Sequence, residues 1–183
     1  RGKKWLSPYG GVWISAAMPF NGRSSEPQLL GLAVALSLAE RLAAKNVNVK
    51  IKWPNDLIVN DRKLAGLLPR VLSRGSSILF SRVGIGLNVI NHVPKEGISL
   101  YQLIRKQHCK IDFWSSEVLL AIENAMEIIS CPEYICSEVE RRLWTKEFTD
   151  PTSGITWDIE GLSIDGSLKL RKGFKTQSLR RLY

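Results

Sequence analysis

A proline placed directly behind an alternating strand constrains this chain more than any other feature. In 47–53 the apolar Val47, Val49, Ile51 and Trp53 alternate with Asn48, Lys50 and Lys52, the period of a strand with one buried face. Pro54 has no N–H for a ladder and biases Trp53 toward extended backbone, so the strand ends there. Asn55-Asp56 falls in the turn that follows, where such side chains bond local backbone. Leu57-Ile58-Val59 starts a second strand, Asn60-Asp61 supplies hairpin-turn chemistry, and Lys63 to Leu68 returns. Lys52, Asn55, Asp56 and Lys63 thereby enter one neighbourhood, and two cations, an amide and a carboxylate there suit a phosphate and its metal ion. Solvated lysines beside an ordinary turn account for the same spacing.

The chain has room for one medium domain with a small appendage at 183 residues. Its 44% hydrophobic and 23% charged residues are those of a soluble globular protein. No apolar run is long enough to span a bilayer and no signal peptide stands at the start, so no membrane role is expected. Cys109, Cys131 and Cys136 are an odd number without zinc-ligand spacing, expected to be reduced thiols in a cytoplasmic protein. The net charge of +9 attracts an anionic partner without choosing among nucleotide, acidic carrier protein and nucleic acid.

Along the chain, Gly10-Gly11 turns into an apolar strand from Val12 to Met18. Ser24 to Pro27 reads as a helix start and Gln28 to Lys45 as the helix, with a wide apolar surface for a sheet and with Glu40 and Arg41 outward. Pro69 predicts a strand cut short or bulged, Arg74 to Ser77 a turn, and Ile78 to Val83 a strand leading into Gly84-Ile85-Gly86-Leu87-Asn88. Ile98 to Ile104 begins a helical stretch. Trp114 to Ile129 is an amphipathic helix capped by Ser115 or Ser116 and stopped by Pro132. Tyr134 to Trp144 is a shorter helix whose Glu138, Glu140, Arg141 and Arg142 read as a solvated face. His92 and His108 read as surface residues. From about Thr145 short strands are expected at 155–159, 162–164 and 167–170, with Asp165-Gly166 as a hairpin turn.

Three strings in order, Lys52-Trp-Pro-Asn-Asp56, Lys63-Leu-Ala-Gly66 and Gly84-Ile-Gly-Leu-Asn88, closely resemble the catalytic domain of biotin protein ligases. Arg1-Gly-Lys-Lys-Trp5, Ser7-Pro8 and Gly10-Gly11 resemble the tail of that family's glycine- and arginine-rich loop. The chain opens inside that motif, which reads as a fragment or a truncated product lacking the family's first strands. One departure is Pro69-Arg70, where the family usually has an acidic residue.

The resemblance implies an α+β fold, with a mixed sheet carrying helices on one side over 1–144 and a small SH3-like β-barrel over 145–183. It implies that biotin and ATP give biotinyl-5′-adenylate and pyrophosphate, after which a lysine of the biotin carboxyl carrier protein of acetyl-CoA carboxylase displaces AMP. Joining a carboxylate to a triphosphate calls for cations and Mg²⁺ at the α-phosphate. Lys63 is the first candidate, touching both the biotin carboxyl oxygen and the α-phosphate, with Lys52 the second cation. Asn55, Asp56 and Asn88 are expected to hold metal and phosphates, and Asp56 also to accept from the incoming lysine. Arg1 and Gly2 would close over phosphate, Trp5 would stack adenine, and Gly66, Gly84 and Gly86 would admit the ligands to the backbone. The reading admits a homodimer and gives no support to nucleic-acid binding or a repressor role. Lipoate or octanoate transfer on the same fold, and a non-catalytic binding remnant, are the alternatives.

Overall fold

A computed structural model describes residues 6–18, 27–74 and 77–180. Strand β1 (Gly11–Met18) is followed by helix α1 (Pro27–Ala43), short strands β2 (Lys50–Lys52) and β3 (Asp56–Val59), and the long hairpin β4 (Arg62–Arg74) and β5 (Ser77–Asn88). Two 3₁₀ turns, Leu100–Gln102 and Lys106–His108, lead to α2 (Ile111–Ile128) and α3 (Pro132–Arg141). The chain finishes with β6 (Glu147–Thr149), β7 (Thr156–Leu162), β8 (Leu168–Lys172) and β9 (Lys175–Leu179).

The first sheet has the order β1-β5-β4-β3-β2 and the second β6-β7-β8-β9. Every ladder between these strands is antiparallel. The α+β class is as expected, but the first sheet is not mixed: parallel pairing is confined to the isolated bridges Ile51 to Leu143 and Lys63 to Gly97. Hairpin-length connections between β3, β4 and β5 dictate antiparallel partners, since a parallel neighbour needs a long crossover.

Two adjacent cross-strand rows define the two faces of this sheet. Val12, Leu87, Ala65, Leu57 and Ile51 are paired in succession, and all are buried. One residue along each strand, Trp13, Gly86, Gly66, Asp56 and Lys52 are paired in succession. Successive side chains point to opposite faces, so the first row is core and the second is the open face. Helix α1 lies on the core side. Its Leu29, Leu30, Leu32, Leu36, Leu38 and Leu42 are almost fully buried, and Gly31 approaches Pro69 so closely that a β-carbon would sit 2.8 Å from its ring.

Several expected boundaries move for identifiable reasons. Pro69 does not interrupt β4, which runs on to Arg74 and shifts register against β5 only between Leu72 and Ser73. The Leu67 N–H reaches across to Asn55; two residues on, the N–H that proline lacks would point beyond the end of β3, where no ladder bond is lost. Helix α2 starts at Ile111, so Ser115 and Ser116 are not its cap; Ser116 instead donates its hydroxyl to the Asp112 carbonyl, at 3.1 Å. Pro132 opens α3 as well as separating it from α2. Arg41 is not simply outward: it pairs at 2.6 Å with Glu117, which is buried. Nor is the polar face of α3 merely solvated. Glu138 accepts from Arg141 and Arg142, and Glu140 accepts the Leu162 N–H at 2.6 Å. The expected strands at 155–159 and 167–170 are β7 and β8, with Asp165-Gly166 in the turn between them. The stretch 162–164 is not a separate strand, because β7 runs on to Leu162 and the chain then turns, and β6 and β9 were not anticipated. His92 and His108 are exposed, and the three cysteines are free thiols.

Candidate functional site

Arg1, Gly2 and Trp5 lie outside the described residues. The remaining candidates are gathered by the open row of the first sheet. Gly86 and Gly66 sit side by side in it, leaving a trough without side chains between Trp13 on β1 and Asp56 on β3. Strict alternation would turn Lys63 to the core face with Ala65 and Leu67. A bulge prevents this: the register shifts between Leu57 and Ile58, so that Ile58 faces Lys63. One additional residue in β4 re-aims everything before it, so Lys63 joins the face that carries Asp56. Its ammonium lies 2.6 Å from the Asp56 carboxylate, with both side chains partly exposed.

The lysine backbone is pinned from both sides. Its N–H donates to the Glu96 carbonyl at 2.8 Å, and its carbonyl accepts from Ile98 N–H at 2.9 Å. Asn88 reinforces this clamp. Its amide nitrogen donates to the carbonyls of Lys63, at 3.3 Å, and Ile98, at 3.1 Å, while its amide oxygen accepts from Asn91 at 3.0 Å. Both donors are thus spent on holding the 96–98 segment against β4. Asn55 is similarly used: its amide donates to the Leu67 carbonyl and its own carbonyl accepts from Leu67 N–H. These two asparagines build the frame in which Lys63 and Asp56 stand.

Lys52 ends the same row beside Asp56, but its ammonium lies 4.6 Å from the centre of the Trp144 ring. Trp144 in turn donates its indole N–H to Asp61 at 2.8 Å. Within the motif turn, Trp53 donates its indole N–H to the Gly166 carbonyl at 2.9 Å. The Asp165-Gly166 turn of the second sheet is therefore seated directly on the 53–56 turn.

Two clefts open over the row and meet at Trp13. One, of about 250 Å³, is bordered by Trp13, Lys63, Gly66, Gly86, Asn88 and Glu96. The other, of about 260 Å³, is bordered by Trp13, Ile14, Ser15, Leu68, Gly84 and Ile85. A compartment holding Lys63 and Glu96 thus adjoins one floored by Gly84, and both are mainly apolar in their lining. Sequence reading took Val12 to Met18 as one buried strand and overlooked Trp13, Ser15 and Glu96; the small Ser15 and Ala17 alternating with Ile14, Ala16 and Met18 was the available signal. A larger cleft, about 980 Å³, lies elsewhere and shares no lining residue with these two.

Among the described residues no cluster of three or more metal-ligating side chains occurs. Carboxylates near the lysine are Asp56 and Glu96. That set suits a magnesium ion carried by substrate phosphates, which needs only one or two protein carboxylates, better than a cage made by protein alone.

The order of strings and the row they form agree with the comparisons. The model of the biotin/lipoate A/B protein ligase family matches residues 1–89. The bifunctional ligase/repressor BirA of Escherichia coli is 31% identical over 100 residues, covering 54% of this chain and 31% of that protein. The biotin–[acetyl-CoA-carboxylase] ligase of Paracoccus denitrificans is 30% identical over 92 residues, covering 49% of this chain and 38% of that protein. The chain therefore spans about a third of the length of these relatives. The biotin protein ligase of Aquifex aeolicus, solved in complex with biotin and ATP, superposes with a TM-score of 0.78 at 25% identity, over 97% of this chain and 78% of that one. The ligase fold thus extends well past the family-matched half.

Proposed function

We propose that the chain activates biotin with ATP as biotinyl-5′-adenylate and passes biotin to a lysine of a biotin carboxyl carrier protein. The observation that carries this reading is the bulge that turns Lys63 onto the glycine trough beside Asp56. The similar Aquifex aeolicus protein was solved with biotin and ATP together, which suits two adjoining clefts, one of them holding the cationic Lys63. In this reading the compartment over Gly84 takes the ring and chain of biotin, and its carboxylate reaches Lys63 in the adjoining one.

Lys63 screens the repulsion between that carboxylate and the triphosphate and meets the charge that grows on the α-phosphate as pyrophosphate leaves. Its clamped backbone keeps the ammonium in place without reorganisation. Asp56 pairs with Lys63 and accepts a proton from the attacking acceptor lysine in the second step. Lys52 and Trp144 form the rim beside Asp56, and Asn55 and Asn88 act through the frame. Mg²⁺ belongs to the reading as the ion of the triphosphate, with Asp56 the protein carboxylate closest to Lys63. No covalent enzyme intermediate is required.

The reading includes a catalytic unit at 1–144 and a small β unit at 145–183, a cytoplasmic location and a homodimer. No helix among the described residues is long and apolar enough to cross a membrane. The test is incubation with biotin, ATP, Mg²⁺ and an isolated carrier domain, followed by intact-mass measurement of the carrier. A mass increase of one biotinyl group is expected. Transfer of a lipoyl or octanoyl group in place of biotin would move the chain to the other branch of its family.

A further inference from the structure

The larger cleft described above has no part in the proposed reaction. It is a cleft of about 980 Å³ between the C-terminal end of α1, the two 3₁₀ turns and the start of α2. Its volume lies at the upper end of the range of small-molecule sites. Lys45, Arg105 and Lys110 line it, with His108, and no carboxylate is among the lining residues.

The cations here contrast with several that are paired elsewhere among the described residues. Arg41, Arg141, Arg142, Arg171 and Arg180 each lie against a carboxylate. Among the described residues, Arg105 and Lys110 have no side-chain ion pair or hydrogen bond, and Lys45 has only the face of Phe113, 5.3 Å away. Three uncompensated positive charges around one concavity raise the local concentration of anions. Helix α2 begins at this cleft with Lys110 at its N-cap, although Asp112 in its first turn offsets part of the positive end of the helix.

The walls are aromatic. Tyr101 and Phe113 are each partly exposed, at 50% and 39%, and both border the cleft together with buried Trp114. Asn46, which makes no side-chain hydrogen bond among the described residues, offers an amide at the same rim. Cations for phosphate, ring faces for stacking and an amide for a heterocycle edge make a set that fits one class of ligand better than a bare anion. We infer that this cleft binds a nucleoside phosphate at a site separate from the Lys63 cleft.

The test is calorimetric titration of the full chain with ADP, on the parent, on Arg105→Glu/Lys110→Glu and on Tyr101→Ala, each first shown to melt as the parent does. A binding event is expected that survives Lys63→Ala, weakens about tenfold or more on reversing the two charges, and weakens in Tyr101→Ala. In ¹⁵N-labelled protein the Trp114 indole N–H, which donates to the His108 carbonyl at 2.8 Å, should shift with that event. An isotherm unchanged by the charge reversal would overturn the proposal. Inorganic pyrophosphate displacing ADP at equal concentration, with Tyr101→Ala silent, would also overturn it by reducing the cleft to an anion site. Because the event is followed with Lys63 absent, its outcome is independent of the ligase reading.

Discussion

Asn88 is the residue whose substitution best separates a ligand contact from a frame contact. Asn88→Ala removes two donated hydrogen bonds, to the carbonyls of Lys63 and Ile98, and the acceptor used by Asn91. A net hydrogen bond contributes about 1 kcal/mol, so three set a ceiling near about 3–4 kcal/mol. Two orphaned groups keep other partners, which lowers the cost: the Lys63 carbonyl retains the Ile98 N–H, and the Asn91 amide retains the His92 carbonyl. The expected loss is therefore about 1.5–3 kcal/mol. Asn88→Asp supplies the contrast. It keeps an acceptor for Asn91 but turns a carboxylate oxygen toward two carbonyls, and should destabilise at least as much as alanine. A metal or phosphate-ion ligand would behave otherwise, since a carboxylate is the better magnesium ligand. Urea unfolding with a common slope gives both values. If Asn88→Ala lost less than about 0.5 kcal/mol and Asn88→Asp bound Mg²⁺–ATP more tightly, the frame role argued here would be wrong.

Three further outcomes follow from the geometry. Gly84→Ala adds a methyl group at ordinary contact distance, 3.6 Å from Leu68 and 3.7 Å from the Ser15 hydroxyl, so stability should hold or rise by about 0.4–1 kcal/mol. Biotin binding should fall about tenfold because the methyl occupies the cleft floor; unchanged affinity by calorimetry would remove biotin from that compartment. Burial pushes the Cys136 thiol up to about 11, so at pH 8 a thiol reagent should modify exposed Cys131 about a hundredfold faster than Cys136; equal rates by mass spectrometry would contradict the packing of α3. Burial opposes ionisation of Asp165, but the hydroxyl and N–H of Ser167 and the charge of Arg180 outweigh it and hold the carboxyl below the usual range. A depressed carboxylate stabilises above the unfolded value of about 3.9 and loses that stabilisation as pH falls through the folded value. The parent should therefore lose melting temperature between pH 5 and acid faster than Asp165→Asn, and parallel slopes would deny the turn this role.

The fold was legible where one period ran without interruption. Alternation from Val47 to Trp53, the Asn60-Asp61 turn and the leucines of α1 gave β2, the β3–β4 hairpin and the helix that covers them. The strand, turn and hairpin at 47–68 brought Lys52, Asp56 and Lys63 together as expected, whereas the pairing of Gly66 with Gly86 in the same row came only from the β4–β5 register. What failed was whatever depends on partners distant in sequence. Pro69 looked like a break because its neighbour was unknown; it lies past the end of β3 and fills the space Gly31 leaves. Arg41 and Glu140 looked solvated because Glu117 and Leu162, their partners, lie 76 and 22 residues away. The bulge at Lys63 has no proline or glycine to announce it, so the lysine's face could not be read from alternation. Asn88 was read by residue type as a ligand, whereas its neighbours commit its amide to backbone.

Pyrophosphate release from biotin and ATP by Lys63→Ala tests the central claim most directly. If the bulge places this ammonium against charge that develops at the α-phosphate, the alanine variant should lose about 3–4 kcal/mol of transition-state stabilisation, roughly a hundred- to a thousandfold in rate. ATP binding should change far less, and Lys63→Arg should not restore the rate, because a planar fork does not replace a compact charge. The Lys63–Asp56 pair is partly exposed, so its loss should cost no more than about 1 kcal/mol of stability. Near-parental release from a variant that melts like the parent would return Lys63 to an ordinary hairpin salt bridge and remove it from the chemistry.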